Sequence, residues 1–196
     1  MKISLGWKLI LVIVIYQCIF LDDASSEVKD YTIDACYIKS ITDILVELDG
    51  VGSLTCGQSV EFSQIGRKPP KITYKNAVSK WYTLIMVDPD ASSSRHPHDR
   101  YWLHWIVSIE GQKLLRGTDG NEYSVVEYNP PSAEAYNGRH RYQFFLYEHD
   151  YISTYIVPSK RSQFDPREYA ESYLALGNVR AQFQFVIEHK PRGVRG

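Results

Sequence analysis

A run of strand-forming residues that stops at an abrupt turn limits the possible folds more than any other part of this sequence. Tyr82–Val87 is short, apolar and rich in β-favouring side chains, which is typical of a strand buried on both faces of a sheet. The run ends at Asp88-Pro89-Asp90, where proline cannot donate a hydrogen bond to a sheet. A carboxylate that directly follows a buried strand must be hydrogen-bonded or lie at the edge of a site, because burying it alone is costly.

Several other segments favour strands. The chain has 15 Tyr and 4 Trp, and aromatic side chains are enriched in strands. Ile44–Leu48 fits a strand and a helix equally well. Alternating Phe or Ile and Gln residues mark one further strand, Ala181–Ile187. The remaining predicted strands are Ser59–Phe62, Lys71–Tyr74, His104–Ile109 and Arg141–Tyr147. The sequence therefore predicts a mainly β fold.

One helix is predicted in the last third of the chain. Asp165 can cap it, Pro166 suits its first position, and Glu168 has the spacing of a capping box. Gly177 is expected to end the helix. Its apolar side is predicted to contain Tyr169, Tyr173, Leu174 and Leu176.

The N-terminus has the pattern of a secretory leader. Lys2 and Lys8 precede an apolar run over Leu9–Leu21, and small residues follow at Ala24–Ser26. We predict a signal peptide over residues 1–26, with an uncleaved anchor as the alternative. The run is short for a membrane span, which needs about 20 apolar residues.

The remainder, residues 27–196, shows no repeat or linker and is predicted to be a single domain. No segment of it is long and apolar enough to span a membrane, so we expect a secreted, extracellular protein. The net charge of the whole chain is -1, which does not indicate a nucleic-acid partner.

The cysteines support an oxidising compartment. Cys18 lies in the predicted leader, which leaves Cys36 and Cys56 as an even pair. We predict a Cys36–Cys56 disulfide, with two buried thiols as the alternative.

Three polar side chains are candidates for a binding site. Asp88 follows one predicted strand, whereas His104 and His140 lie at the starts of two others. Antiparallel pairing places the end of one strand beside the start of the next, so the three can converge on one rim of a sheet. Trp102 and Tyr142 would supply the walls of a small cavity. Taken alone, each residue could have a purely structural role. The aspartate could form a turn, and each histidine could be a structural histidine.

Two imidazoles with a carboxylate nearby suit a phosphate group. The imidazoles can donate hydrogen bonds to phosphate oxygens, and the carboxylate can orient one ring. Protonated imidazole attracts phosphate more strongly, so binding is expected to be tighter at pH 6 than at pH 8.

Four segments in order resemble the signatures of a known family. They are Asp88–Ser92, Arg100–Trp105, Pro130-Pro131 and Gly138–Tyr142. Together they resemble the phosphatidylethanolamine-binding protein family, which includes the Raf kinase inhibitor protein. Tyr142–Tyr147 and the predicted leader look closest to the family's secreted animal branch.

The resemblance implies two packed antiparallel sheets with a few short peripheral helices. It also implies a small anion pocket for phosphate, phosphoethanolamine or phospholipid headgroups. Gly138 would allow the turn that brings His140 inward. Carried over position by position, the ligand-binding residues would be Asp88, Ala91, Trp102, His104, Pro130, Pro131, His140 and Tyr142.

The chain departs from the family pattern at several positions. Ser92 replaces the usual proline, so a looser rim is expected there. Asp99 stands where tyrosine is frequent, and Glu127–Asn129 replaces a glycine-rich segment, so a narrower mouth is expected. A basic tail, Lys190–Arg195, stands in place of the final helix of animal members.

The sequence also bears on other function classes. The chain lacks the common motifs for a serine nucleophile, a phosphate loop or a zinc protease, so we expect neither an enzyme nor a cofactor. His96-Pro97-His98 could be a metal pair, but a solvated loop is favoured. An extracellular serine protease inhibitor or signalling modulator, acting through surface loops such as Ser92–Asp99, is the alternative function.

Overall fold

The described part of the protein is mainly β-sheet. The computed structural model describes residues 35–36, 43–132, 138–150, 155–173 and 179–189. Two sheets and a few short helices occupy these ranges, as predicted. The predicted leader over residues 1–26 and the basic tail from Lys190 lie outside the described residues. The division into a leader and one domain over 27–196 stays a prediction.

The strands form a large sheet and a small one. Their bounds are β1 Ile44–Leu48, β2 Gly52–Ser53, β3 Ser59–Val60, β4 Lys71–Tyr74, β5 Trp81–Asp88, β6 Trp102–Glu110, β7 Tyr123–Val126, β8 Gly138–His149 and β9 Val179–His189. The large sheet has the order β3-β9-β8-β5-β6-β7 and the small sheet the order β2-β1-β4. Neighbouring strands are antiparallel, except that β3 and β9 pair in parallel.

One hydrophobic core lies between the two sheets. Ile44, Val46 and Ile72 of the small sheet belong to the same buried cluster as Leu84 and Val107 of the large sheet. In β1 buried and half-buried residues alternate, because only one face of the small sheet contacts the core. In β5 every residue after Trp81 is buried, as the apolar run predicts.

Strand β9 differs from the alternation that its sequence suggests. Gln184 is as fully buried as the neighbouring Phe185. Its side-chain oxygen accepts hydrogen bonds from Gln143 Nε2 at 3.1 Å and from the main-chain nitrogen of Ala35 at 3.1 Å. The Gln184 side chain is therefore covered, and its amide oxygen is hydrogen-bonded inside the fold rather than exposed.

The helices are short. Helix α1, Gly111–Arg116, directly follows β6 and was not predicted. A Cβ atom at Gly111 would collide with the carbonyl of Val78, so glycine permits this close approach. The strand predicted over residues 59–62 ends at Val60, and a 3-10 helix, Phe62–Gln64, follows.

Helix α2, Pro166–Tyr173, begins where the sequence predicts. The Oδ1 atom of Asp165 accepts hydrogen bonds from the main-chain nitrogens of Arg167 at 2.8 Å and Glu168 at 3.1 Å. The predicted stop at Gly177, with Leu174 and Leu176, lies outside the described residues.

The predicted disulfide between Cys36 and Cys56 is present, with a Cα–Cα distance of 5.6 Å. It joins the described residues Ala35-Cys36 to the segment before β3. The next residue, Gly57, donates its main-chain N–H to the carbonyl of Gln184 in β9. The bond therefore fastens the N-terminal part of the domain beside the last strand.

Candidate functional site

Asp88 and His140 form a buried pair on neighbouring strands. Asp88 is the last residue of β5 and His140 is the third residue of β8. Nδ1 of His140 lies 2.7 Å from Asp88 Oδ2, and both side chains are fully buried. Because a carboxylate accepts, the imidazole Nδ1 donates this hydrogen bond. The other oxygen of Asp88 accepts from the main-chain nitrogen of Asp90 at 2.7 Å.

A second ion pair holds the turn after β5 against β8. The guanidinium of Arg141 donates to both carboxylate oxygens of Asp90, each at 2.8 Å. The main-chain nitrogen of Arg141 donates to the same carboxylate at 3.0 Å. Hydrogen bonds to Asp90 raise the pKa of Arg141, so the guanidinium stays charged. The acidic turn is thereby fixed one residue from His140.

His104 projects from an irregularity in strand β6. Trp105 pairs with Met86 and Leu103 pairs with Val87, so His104 is an extra residue opposite β5. Such bulges reorient side chains next to functional sites. The ring of His104 lies edge-on to Tyr142, with ring centroids 5.2 Å apart.

The two ring nitrogens of His104 have different surroundings. Nδ1 lies 2.6 Å from the carbonyl oxygen of Asn129, and the Asn129 N–H donates to the His104 carbonyl at 2.8 Å. Nε2 is buried, and no hydrogen-bond partner reaches it among the residues that the structure describes. Burial lowers the pKa of His104, while the negative charge of Asp88 opposes this.

Arg161 holds the bulge in place, a role that its surrounding sequence does not indicate. Its guanidinium donates to the carbonyls of Leu103 and His104, each at 3.0 Å, and of Glu127 at 2.7 Å. Leu103 donates its N–H to the carbonyl of Arg161 at 2.8 Å. Arg161 lies in a polar stretch, Ser159–Ser162, that looks like an ordinary surface loop.

The other predicted site residues lie around these groups. Trp102 is half-buried and pairs with Asp88 across β5 and β6. Tyr142 is fully buried and stacks on Phe185 at a centroid distance of 5.1 Å. Ala91 is buried directly after Asp90. The half-buried Pro130 and the buried Pro131 follow Asn129, which contacts His104.

Two of the departures from the family pattern contact each other. The hydroxyl of Ser92 donates a short hydrogen bond to the carboxylate of Asp99. Asp99 also donates its N–H to the carbonyl of Ala91 at 3.1 Å. These contacts link the two ends of the loop after β5, and the looser rim expected at Ser92 stays a prediction.

The third departure, Glu127–Asn129, has Asn129 in contact with His104 and Tyr128 in contact with Trp105. Tyr128 packs edge-on against Trp105, with ring centroids 5.9 Å apart. Both line a cleft of about 480 Å³ that also contacts Lys68 and Glu127. The narrower mouth expected from Glu127–Asn129 stays a prediction.

His96 and His98 lie in the loop after β5, with both side chains exposed and their rings stacked 6.2 Å apart. Within the described ranges, no group of three or more His, Cys, Asp or Glu side chains is arranged to hold a metal ion. In the same ranges, no helix has the length and apolar character to cross a bilayer.

Comparisons with known proteins agree with this geometry. A profile described as "Phosphatidylethanolamine-binding protein" matches residues 50–188. The protein FLOWERING LOCUS T of Arabidopsis thaliana is 37% identical over 124 residues, which cover 63% of this chain and 68% of that protein. A 26 kDa secreted antigen of Toxocara canis is 32% identical over 95 residues, 48% of this chain and 34% of the antigen.

A solved structure, a carboxypeptidase Y inhibitor complexed with its cognate proteinase, shares the fold with a TM-score of 0.59. Its sequence is 18% identical, and the match covers 75% of this chain and 83% of the inhibitor. The resemblance noted in the sequence is thus confirmed at the level of the family. The matched profile spans the second cysteine of the disulfide, strands β2 to β8, most of β9 and the residues around His104, and the chain belongs to the phosphatidylethanolamine-binding protein family.

Proposed function

We propose that this chain is a secreted binding protein whose site around Asp88, His104 and His140 holds a small phosphate-type anion. Phosphate, phosphoethanolamine and a phospholipid headgroup all present phosphate oxygens to such a site. The observation that carries the proposal is the buried Nε2 of His104, which no described protein group satisfies. A buried polar atom without a partner costs stability, and a ligand atom would remove that cost.

The surroundings of His104 favour an anion. Both carboxylate oxygens of Asp88 accept hydrogen bonds, one from His140 and one from the N–H of Asp90. These donors reduce the repulsion between Asp88 and a bound anion. The cationic Arg161 is held against the His104 carbonyl. A positive charge in a partly buried position attracts an anion more strongly than the same charge in water. We assign the walls of the site to Ala91, Trp102, Pro130, Pro131 and Tyr142.

Calorimetric titration with phosphoethanolamine tests this assignment. Asp88→Asn removes the charge that orients His140, and His104→Ala removes the unpaired nitrogen. Each is expected to weaken binding at least about tenfold, which corresponds to about 1.4 kcal/mol. His96→Ala is the matched control, because His96 is exposed in a loop outside the site. Unchanged affinity for phosphoethanolamine in both site variants would contradict the proposal.

We also propose that the site binds without turnover. The side chains of Asp88 and His140 are hydrogen-bonded to each other. Such a pair can position a ligand, which suits a binding role. Product formation from phosphoethanolamine or a phosphodiester by the purified protein would contradict this view.

Secretion is part of the same proposal. An oxidising compartment suits the Cys36–Cys56 disulfide, and the antigen of Toxocara canis is described as secreted. These features agree with the predicted leader and with the secreted animal branch. Expression of the full chain in a secretory cell, followed by N-terminal sequencing of the medium, should find a mature protein that begins near Glu27.

The alternative is an extracellular protease inhibitor or signalling modulator. The carboxypeptidase Y inhibitor, which shares the fold, is described in complex with a proteinase. In this chain the loop Ser92–Asp99 is the surface that we assign to such a role, since Ser94, Arg95 and His96 are exposed. Inhibition of a serine protease that survives His104→Ala but is lost on replacement of residues 94–96 would favour this alternative.

A further inference from the structure

The hydrogen bonds of His104 fix which of its nitrogens carries the proton. Nδ1 lies 2.6 Å from the main-chain carbonyl of Asn129. A carbonyl oxygen can only accept, so Nδ1 must donate. A neutral imidazole has one N–H, and Nε2 is therefore a bare lone pair in the neutral ring. The atom that faces the proposed ligand is an acceptor.

The neutral ring is the favoured form in this environment. Burial lowers the pKa of His104, and the interactions with Arg161 and His140 act in the same direction. The hydrogen bond to the Asn129 carbonyl and the charge of Asp88, at the end of β5, raise the pKa of His104 but are outweighed. Tyr142, on β8, contributes an uncharged ring edge. These are the charged and titratable groups that face His104 from β5, β8 and the segment around Arg161.

A bare lone pair discriminates between anions that otherwise look alike. A phosphate monoester loses its second proton near pH 6, so it still carries a P–O–H group close to neutral pH. That group can donate to Nε2. Sulfate and phosphate diesters carry no proton at these pH values, so each of them presents only oxygen lone pairs to Nε2. Two acceptors that face each other repel unless a proton is placed between them.

We propose that the site binds a phosphate monoester together with one proton, shared between His104 Nε2 and a phosphate oxygen, and so selects monoesters over sulfate and diesters. This inference rests on the proposed function. The proton balance is simple: below the second pKa of the monoester the ligand brings the proton, and above it the proton comes from solvent. Sulfate must take the proton from solvent at every pH above the pKa of free His104.

Proton uptake can be counted directly. Titrations of the full mature protein with phosphoethanolamine are run at pH 8 in two buffers that differ in ionisation enthalpy. About one proton should be taken up per bound anion, and affinity should fall about tenfold per pH unit above pH 7. At pH 5.5 the uptake with phosphoethanolamine should shrink, because the ligand then carries its own proton. Sulfate and dimethyl phosphate should bind at least about tenfold more weakly at pH 7.

A substitution separates this chemistry from general electrostatics. His104→Gln places an amide N–H₂ near the position of Nε2, a donor that needs no proton from solvent. The variant should bind phosphoethanolamine without proton uptake and should lose its preference over sulfate. His96→Gln, in the exposed loop, should leave both properties unchanged. If His104→Gln fails to fold, the number of protons that the wild-type protein takes up per bound phosphoethanolamine tests the inference on its own.

The outcomes distinguish the inference from the function on which it rests. Tight binding of phosphoethanolamine with no proton uptake at pH 8, or equal affinity for sulfate, would overturn the inference and leave the anion site standing. No binding of any of the three anions by the folded wild-type protein would overturn the anion site, and the inference with it.

Discussion

Because of His104, the stability of the folded protein is expected to depend on pH as well as on the bound ligand. Its folded-state pKa is lowered, first by burial. The unfolded chain therefore binds a proton more readily, with an ordinary pKa near ~6.5. The stabilising contribution of the neutral ring is complete above that pH and is lost as the pH falls below it.

We expect the free energy of unfolding to fall between pH 7 and pH 5, with a slope from His104 of at most ~1.4 kcal/mol per pH unit. Urea unfolding at several pH values measures this slope. His104→Gln should make the profile flatter, whereas the exposed His98→Gln should not. A profile that is the same in wild type and His104→Gln would show that this ring does not titrate on unfolding.

Arg161 is a positioning residue that acts through His104. Replacing it with methionine removes three hydrogen bonds to main-chain carbonyls and the positive charge beside the ring. We expect weaker phosphoethanolamine binding and, because a repulsive charge is lost, a higher pKa of His104. Arg161→Lys should keep the pKa of His104 closer to its wild-type value, because the positive charge remains. It should not restore the three hydrogen bonds of the guanidinium to main-chain carbonyls.

The pKa of His104 can be followed by NMR of the ring protons. Arg180→Met is the matched control, since Arg180 is half-exposed and pairs with Glu148 at 3.4 Å. A purely structural role would destabilise the fold of Arg161→Met without moving the pKa of the ring upward.

Among the elements, the start of helix α2 is set by a single side chain. Asp165 accepts two main-chain N–H groups of the first turn. Asp165→Ala should therefore lower the free energy of unfolding by about 1 kcal/mol. Thermal or urea unfolding measures the effect, and the exposed Glu171→Ala on the same helix is the control. An equal loss in both variants would mean that capping is not the cause.

The strands were predictable to different degrees, for physical reasons. Lys71–Tyr74 was predicted with the observed bounds, and the central strands were found but drawn too short. Their polar ends, such as Asp88 and His140, look like loop residues, yet they are buried because they bond to each other. Helix α1 was missed because its six residues have little periodic signal and start at a glycine.

The site was predictable only in part. The convergence of Asp88 and His140 followed from antiparallel pairing of buried strands. The bulge at His104 and the role of Arg161 did not, because both depend on main-chain hydrogen bonds between distant segments. The contact of Ser92 with Asp99 could not be foreseen from their separate departures from the family pattern.

At the scale of the whole molecule, the disulfide is the covalent constraint. Cys36 and Cys56 are separated by 20 residues, and closing a loop of this length stabilises the fold by about 3 kcal/mol. The double variant Cys36→Ser/Cys56→Ser should lose about that amount of unfolding free energy and become insensitive to reductant. Chemical unfolding with and without a reductant measures both effects. A wild-type protein whose stability does not respond to reductant would contradict the expectation.

The order of the strands has a consequence for biosynthesis. Strand β9, the last of the described strands to leave the ribosome, lies second in the large sheet, between β3 and β8. Until residues 179–189 emerge, β8 has an open edge and Gly57 lacks the carbonyl of Gln184. A nascent chain cannot complete this domain stepwise from its N-terminus, so closure of the sheet must wait until residues 179–189 have emerged. A premature stop codon shortly before Val179 would thus release a product with an unpaired, aggregation-prone strand rather than a smaller working protein.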